Sequence, residues 1–324
     1  MKRTTKRSKP ADAILTADFH LTDSTPVSRT DDYMKAQETK LAFLQTLSDD
    51  NNNCPILCAG DVFHNWKASP WLSSWAWRHL PSPLVAIPGN HDLPMHSLEH
   101  YDKSALSLLE EVSFESFVDL CGVLCLMVLK EDSVVFNGCI KVTGVRFGKL
   151  EKFTPVPGLK RNILMLHELV WPDKKPGWGK EEDWTAQQLL KKYGDHFDLI
   201  LTGDNHESFV VEDRKTGSLL VNPGSMMRIN ADQENYQPEC YLYYAEENKV
   251  CSVPFPIEKG VHNRDHIDQK KDRDERIAAY IERMNQDWKI SLDFSKNLQA
   301  FFSENNTNRK VREIVWQHLE AEET

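Results

Sequence analysis

Five short apolar runs, Ala13 to Ala17, Pro55 to Ala59, Leu84 to Ile87, Ile163 to Leu166 and Leu199 to Thr202, each lead into a group of polar side chains. The groups are Asp18-Phe19-His20, Gly60-Asp61-Val62-Phe63-His64, Gly89-Asn90-His91-Asp92, His167, and Gly203-Asp204-Asn205-His206. Apolar runs this short, without alternation, read as strands buried on both faces. Parallel strands of that kind bring their carboxyl ends together in one crevice. The chain is thereby constrained to an α/β arrangement in which five distant pieces of sequence furnish one site.

Between the early runs lie helix-like segments. Tyr33 to Leu47 spaces Ala36, Leu41, Leu44 and Leu47 for one buried face, and a tryptophan-rich segment spans Trp71 to Leu80. Strand, helix, strand is the order of a layered α/β fold. After Leu120 the pattern changes to strands without long helices. Ser133 to Phe136 and Ile140 to Phe147 flank Asn137-Gly138, a strong hairpin signal, and a second set covers Ser218 to Asn222, Glu239 to Ala245 and Lys249 to Val253. The expected core, residues 12–256, is a two-sheet mixed β-sandwich flanked by helices. A C-terminal helical appendage covers 257–324, where Ile277, Ile281, Met284 and Trp288, and then Val311, Val315 and Leu319, fall at helical spacing. Packing on the parent domain is the plainer reading of those faces, and self-association or a partner the sharper one.

Composition narrows the function classes. The 324 residues contain no run of about 18 uncharged apolar residues, and the basic start is followed by Pro10-Ala11-Asp12 rather than an apolar signal core. No membrane association and a cytoplasmic location are expected. The tail 1–11, with Lys2, Arg3, Lys6, Arg7 and Lys9, is either a solvated end or an electrostatic tether for DNA. Seven cysteines, an odd number in mostly apolar surroundings, read as reduced core thiols. Cys54 with Cys58, and Cys121 with Cys125, have zinc-range spacings but strand-like intervals between them, which disfavours a zinc site. The formal charge of −10 argues against a surface that is basic all round, yet a nucleic-acid groove needs only a local positive patch.

Residues two apart on a strand point the same way, so Asp18 and His20 can reach one ion, and Asp204 and His206 repeat the spacing. Asp61, after Gly60 at a strand end, has two oxygens with which to bridge two ions. Mixed carboxylate and imidazole donors suit first-row divalent metals. Two such ions about 3.5 to 4 Å apart activate a water and clamp a phosphoryl group for in-line attack. His91 then has a natural role as general acid, because a leaving alkoxide needs a proton near neutral pH. Any one of these histidines alone is more often a surface or core residue; five ordered clusters are what carry the reading.

Together the clusters resemble the calcineurin-like metallophosphoesterase signature, over residues of about 14 to 226. The resemblance implies a first metal on Asp18, His20, Asp61 and His206, and a second on Asp61, Asn90, His167 and the residue at 204. It places His91 at the catalytic histidine. The family usually has Gly-His-x-His where this chain has Gly203-Asp204-Asn205-His206. Either Asp204 makes a harder site that favours manganese or magnesium over zinc, or it falls short of the second ion.

The segment Gly60 to Pro70, with Val85-Ala86-Ile87-Pro88 and Asn222-Pro223-Gly224-Ser225, is similar to SbcD-type DNA repair nucleases. That likeness implies a DNA nuclease, exonuclease or endonuclease, in which His64 assists catalysis; a structural hydrogen bond or helix-start contact is the alternative for His64. Asp92 is expected to be a local cap or to support the donors from behind, and His96 and His100 to be surface residues. The loop Trp171 to Gly179 follows His167, so Lys174, Lys175 and Trp178 are candidates for phosphate contact and base stacking, against packing down on the protein. The implied partners are DNA and an ATPase of the SbcC kind, for which the C-terminal extension is short. A small-molecule phosphodiesterase or phosphatase, and a catalytically weakened DNA-binding scaffold, are the competing functions.

Overall fold

Strands that are apolar at every position need cover on both faces, and the chain supplies it with helices outside two face-to-face sheets. The computed structural model describes residues 9–116, 125–145, 147–148, 150, 159–264, 273–281 and 294–322. Lys2, Arg3, Lys6, Arg7, Cys121, Met284 and Trp288 lie outside the described residues. The chain divides into two compact units, 1–263 and 264–324.

In the first unit, β1 (Ala13–Thr16), β2 (Ile56–Cys58), β3 (Leu84–Ala86) and β4 (Leu126–Val128) run parallel in that order. Antiparallel β13 (Glu239–Tyr244) and β14 (Lys249–Pro254) extend this sheet beyond β1. The second sheet has a parallel centre of β12 (Leu219–Asn222), β10 (Leu199–Gly203), β7 (Arg161–His167) and β6 (Ile140–Val145), in that spatial order. Its edges are antiparallel, with β11 (Phe209–Glu212) beside β12 and β5 (Ser133–Phe136) beside β6. A separate pair, β8 (Val170–Trp171) and β9 (Trp184–Thr185), lies beyond β7.

Residue parity sorts the core. Leu15, Leu57 and Val85 meet Val142, Ile163, Met165, Leu199, Leu201 and Val221 between the sheets. Their neighbours Ile14, Ile56, Cys58, Leu84 and Ala86 face outward onto α1 (Tyr33–Asp50), α2 (Pro70–His79) and α3 (Ala105–Ser116). On the far side Leu164, Leu166, Ile200 and Leu220 pack under α4 (Ala186–Tyr193). Helix starts are fixed locally: Asp32 accepts from Lys35 N at 3.0 Å, Ser69 from Leu72 N at 3.1 Å ahead of Pro70, and Thr185 and Gln188 form a capping box. At the β5–β6 hairpin Asn137 and Gly138 have φ of 50° and 65°, the left-handed pair its tight turn requires.

The expected two-sheet mixed sandwich with flanking helices is the observed fold. The strand expected to reach Phe147 stops at Val145, and β8, β9 and β11 had no strong signal. Cys54, Cys58 and Cys240 are buried thiols; burial pushes Cys54 and Cys240 up to about 12, which keeps them unreactive. No helix among the described residues is long and apolar enough to cross a membrane.

The second unit contains a helix over 273–281, α5 (Phe294–Glu304) and α6 (Arg309–Glu322). Phe302 is buried there, edge-on to Trp316 and under the Arg312 guanidinium, while Ile277, Ile281 and Val311 are exposed.

Candidate metal centre

The carboxyl ends of β1, β2, β3, β7 and β10 converge, and with them every candidate metal donor. Asp18 and His20 do not get there by strand alternation as expected. β1 ends at Thr16, and Asp18, His20, Asp61 and Asp204 all have left-handed backbone, with φ of 51°, 47°, 51° and 73°. The loops after β1 and β2 zip together instead, Asp18 N–H to Gly60 O at 3.1 Å and His20 N–H to Asp61 O at 2.9 Å. Phe19 points into the core while its neighbours turn inward to the crevice.

Two nitrogens organise the donors. Around His20 Nε2 lie His206 Nε2 at 3.1 Å, Asp61 Oδ2 at 3.6 Å and Asp18 Oδ1 at 4.0 Å. Around His167 Nε2 lie Asn90 Oδ1 at 3.1 Å, the same Asp61 Oδ2 at 3.4 Å and Asp204 Oδ1 at 3.8 Å. One Asp61 oxygen is thus near both nitrogens, and Asp204 stands 3.8 Å from His167 Nε2, while the described groups tight enough to hold an ion include Asp18 with His20 and His206 and Asp18 with Asp61 and His167.

The chemistry of these contacts fits cations. His167 Nδ1–H donates to Ala59 O at 2.7 Å, so the neutral ring presents a lone pair at Nε2 toward three oxygens. Lone pairs facing lone pairs repel unless a positive charge lies among them. Donors around an octahedral cation with bonds of about 2.1 Å stand roughly 3 Å apart, near the shorter separations here. Without such charge His167 supplies it: burial opposes protonation, but Asp61, Asp18 and Asp204 outweigh it and hold the imidazole well above its usual range. Burial also resists the charge on Asp61, yet the adjacent His167 and His20 hold its carboxyl low. Asp18, fully buried, is pushed up by desolvation, eased by His167. His20 and His206 are pushed down by burial, which keeps their rings neutral as metal donors must be.

His91 is held from two sides. Its backbone N–H donates to Asp61 Oδ1 at 2.9 Å, and its Nδ1–H to His64 O at 2.7 Å. Nε2 is thus the ring nitrogen left for proton exchange. The His64 ring lies 5.4 Å from the His91 ring and 5.5 Å from that of His20, and its imidazole is pushed down by burial and by His91. The His64 carbonyl thus orients the His91 ring, and the His64 ring faces the cluster.

The contacts behind the donors explain why the strand ends hold their shape. Asp92, buried, accepts from Val62 N, Phe63 N and Gly89 N at 3.1, 2.9 and 3.1 Å, tying the Asp61 loop to the Asn90 loop. His167 inserts between Gly60 and Gly203, where a Cβ would come within 2.3 and 2.7 Å of its ring; Gly60 also has φ of 93°. Sequence reasoning left two residues without a role. Asn222 donates to Asn205 O and Glu207 O at 2.6 Å, fixing the Asp204–His206 turn, and its signal was the Asn222-Pro223-Gly224-Ser225 segment. His96 is exposed as expected, but its Nδ1–H donates to Asn90 O at 3.0 Å, which places it at the edge of the site.

The loop after His167 is not drawn into the donor cluster by any described contact. Trp178 is 75% exposed and lies edge-on to Trp171 at 5.0 Å; Lys175 Nζ donates to Lys180 O and Glu181 O of its own loop, and Lys174 is exposed.

The calcineurin-like phosphoesterase profile matches residues 13–208, more than half of the chain. No curated protein sequence matches. Among solved structures, TT1561 of Thermus thermophilus is similar over 76% of this chain and 99% of its own, at 14% identity and a TM-score of 0.46. A Staphylococcus aureus protein with a provisional 5′-nucleotidase name, in complex with alpha-ketoglutarate, is similar over 78% and 54%, at 11% identity and 0.42. Vps29 of Entamoeba histolytica, complexed with zinc, is similar over 75% and 99%, at 14% identity and 0.29. With the profile spanning all five strand ends, the chain belongs to the calcineurin-like phosphoesterase family, hydrolases that use divalent metal ions.

Proposed function

We propose that the protein is a manganese-dependent DNA nuclease that hydrolyses phosphodiester bonds at this cluster. Asp18, His20, Asp61 and His206 would hold one divalent cation and Asp61, Asn90, His167 and Asp204 the other. The observation that carries the hydrolytic reading is the shared Asp61 Oδ2, within 3.6 Å of His20 Nε2 and 3.4 Å of His167 Nε2. Cations bound there would supply Lewis acidity to a phosphoryl oxygen and to the attacking water.

The protein's own groups do the rest. Ala59 O fixes the His167 tautomer so that Nε2 faces the crevice. The His91 N–H engages Asp61 Oδ1, leaving Oδ2 as the shared atom. His64 O orients the His91 ring through Nδ1–H, so that a protonated Nε2 can hand its proton to the leaving sugar oxygen. Three carboxylates, one of them Asp204 where relatives carry histidine, make the donor set hard, which favours manganese or magnesium over zinc.

DNA as substrate is supported by the Gly60-to-Pro70 likeness together with the position of His64, the histidine of that segment, beside His91 at the exposed rim. Incubation of the full chain with manganese and either linear duplex DNA or a panel of small phosphoesters tests the reading. DNA should be degraded, and His91→Ala should keep its metal content while losing about 10²- to 10⁴-fold in rate. Cleavage confined to small phosphoesters would overturn the DNA assignment, and full activity in His91→Ala would overturn the proton-donor role.

A further inference from the structure

A second concentration of charge lies across a short strap from the metal centre. Met226 N–H donates to Asp18 O at 3.1 Å on one side, and Met226 O accepts from Lys40 Nζ at 2.5 Å on the other. Lys40, Arg29 and Arg228 are 4, 8 and 3% exposed, and together they line a cavity of about 270 Å³ beside the first turn of α1.

The partners of these three cations do not balance their charge. Arg29 forks onto Asp31, Nε to Oδ1 at 2.8 Å and Nη2 to Oδ2 at 2.5 Å, and gives Nη1 to Arg228 O at 2.7 Å. Arg228 gives Nη1 to Glu234 O and Nη2 to Glu258 O. Lys40 has the Met226 carbonyl. Carbonyl oxygens satisfy N–H donors but do not neutralise them. Among the described residues no carboxylate lies within ion-pair distance of Lys40 or Arg228, so Asp31 leaves two buried positive charges uncompensated.

Two exposed carboxylates, Asp32 and Glu258, also line the cavity, where water screens their charge. Lys35 is paired with Glu38, Asp32 is used to cap α1, and Glu258 is exposed at the rim. Burying unpaired charge is unfavourable, and Lys40 registers it: desolvation first, then Arg228 and Arg29, bring its ammonium down to about 7.

We propose that this cavity is a binding site for a phosphate-type dianion, either inorganic phosphate or the terminal phosphate of a monoester. A dianion would supply the counter-charge that Arg228 and the protonated form of Lys40 lack among the buried groups. Arg29 and Arg228 keep N–H groups beyond those counted above and Lys40 keeps two, in the forked and point-charge arrangements that suit a tetrahedral oxyanion.

Calorimetric titration of the full chain with inorganic phosphate, and separately with a 5′-mononucleotide, tests the site. Each titration is made with manganese present and again after chelation. Binding that survives chelation belongs to the cavity, since the carboxylates of a metal-free centre repel a dianion. Lys40→Met, which keeps the length of the side chain, should weaken that binding about tenfold or more, whereas Lys40→Arg, which keeps the charge, should retain it within about threefold. The tighter of the two ligands identifies the source of the phosphate. Absence of saturable binding to the chelated protein below about 10 mM of either ligand, or equal binding by Lys40→Met, would overturn the proposal.

Discussion

The buried ammonium of Lys40 makes a quantitative prediction about stability. Its pKa falls from an ordinary 10.5 to about 7 in the folded protein, chiefly by desolvation, with Arg228 and Arg29 adding repulsion and Asp31 opposing it. Between those two values the unfolded chain carries a proton on Lys40 that the folded chain has shed. The unfolded state therefore binds more protons in that window, and stability rises with pH. At about 1.4 kcal/mol per pH unit, the charge disfavours the folded state by about 4 to 5 kcal/mol at pH 7 and by about 2 kcal/mol at pH 9. Lys40→Met removes this group and leaves the others in place, so the difference between the two proteins isolates it. Urea unfolding of both at pH 7, 8 and 9, in chloride buffers free of phosphate and sulfate, should show wild type gaining about 2 kcal/mol on the variant across the range. A constant difference from pH 7 to 9 would refute the reasoning, because it would mean that Lys40 keeps its proton in both states.

Two further outcomes follow from the contacts around the donors. Asp92→Asn turns one acceptor of a three-donor set into an N–H₂ group facing backbone N–H; with Val62, Phe63 and Gly89 N–H all buried, unfolding free energy should fall by about 1 to 3 kcal/mol, measured in urea. Asp204→His exchanges a carboxylate for an imidazole 3.8 Å from His167 Nε2, so metal analysis after dialysis against equal manganese and zinc should show zinc enriched over the parent; unchanged content and preference would mean that Asp204 does not tune the site.

What could be read from sequence was whatever local chemistry determines. The spacing of Leu41 and Leu44 located α1 and Asn137-Gly138 the hairpin, because turns and apolar stripes act within a few residues. The buried stripe of α1 is less apolar than its spacing suggested. Gln37 and Lys40 lie on it beside Leu41 and Leu44, Gln37 pairing with the backbone of Thr22 and Lys40 with Met226, whereas Ala36 and Leu47 are only half-buried. Those partners are distant in sequence or outside any regular element, so nothing local announces them. The same holds for Asn222, whose role depends on where the Asp204 turn passes over it.

The left-handed residues show what turns a strand end into a chelating site. Had β1 continued through His20, Asp18 and His20 would stand about 6 to 7 Å apart at their Cα atoms on one face of the sheet. Left-handed backbone at both folds the chain back so that their donors come within 4.0 Å, at about 1 to 2 kcal/mol of strain per residue. Asp61 and Asp204 repeat the device, which concentrates several kcal/mol of strain in one crevice. The groups that offset it are backbone N–H donors to Gly60 O, Asp61 O and the Asp18 carboxylate, together with Asp92 and Asn222 behind the loops. Stability and ion binding are therefore linked through the turns that carry the donors. Changes at Asp92 or Asn222 should lower both, because the strained turns relax when their supports go, while changes at His206 or Asn90 should lower ion affinity with little loss of fold.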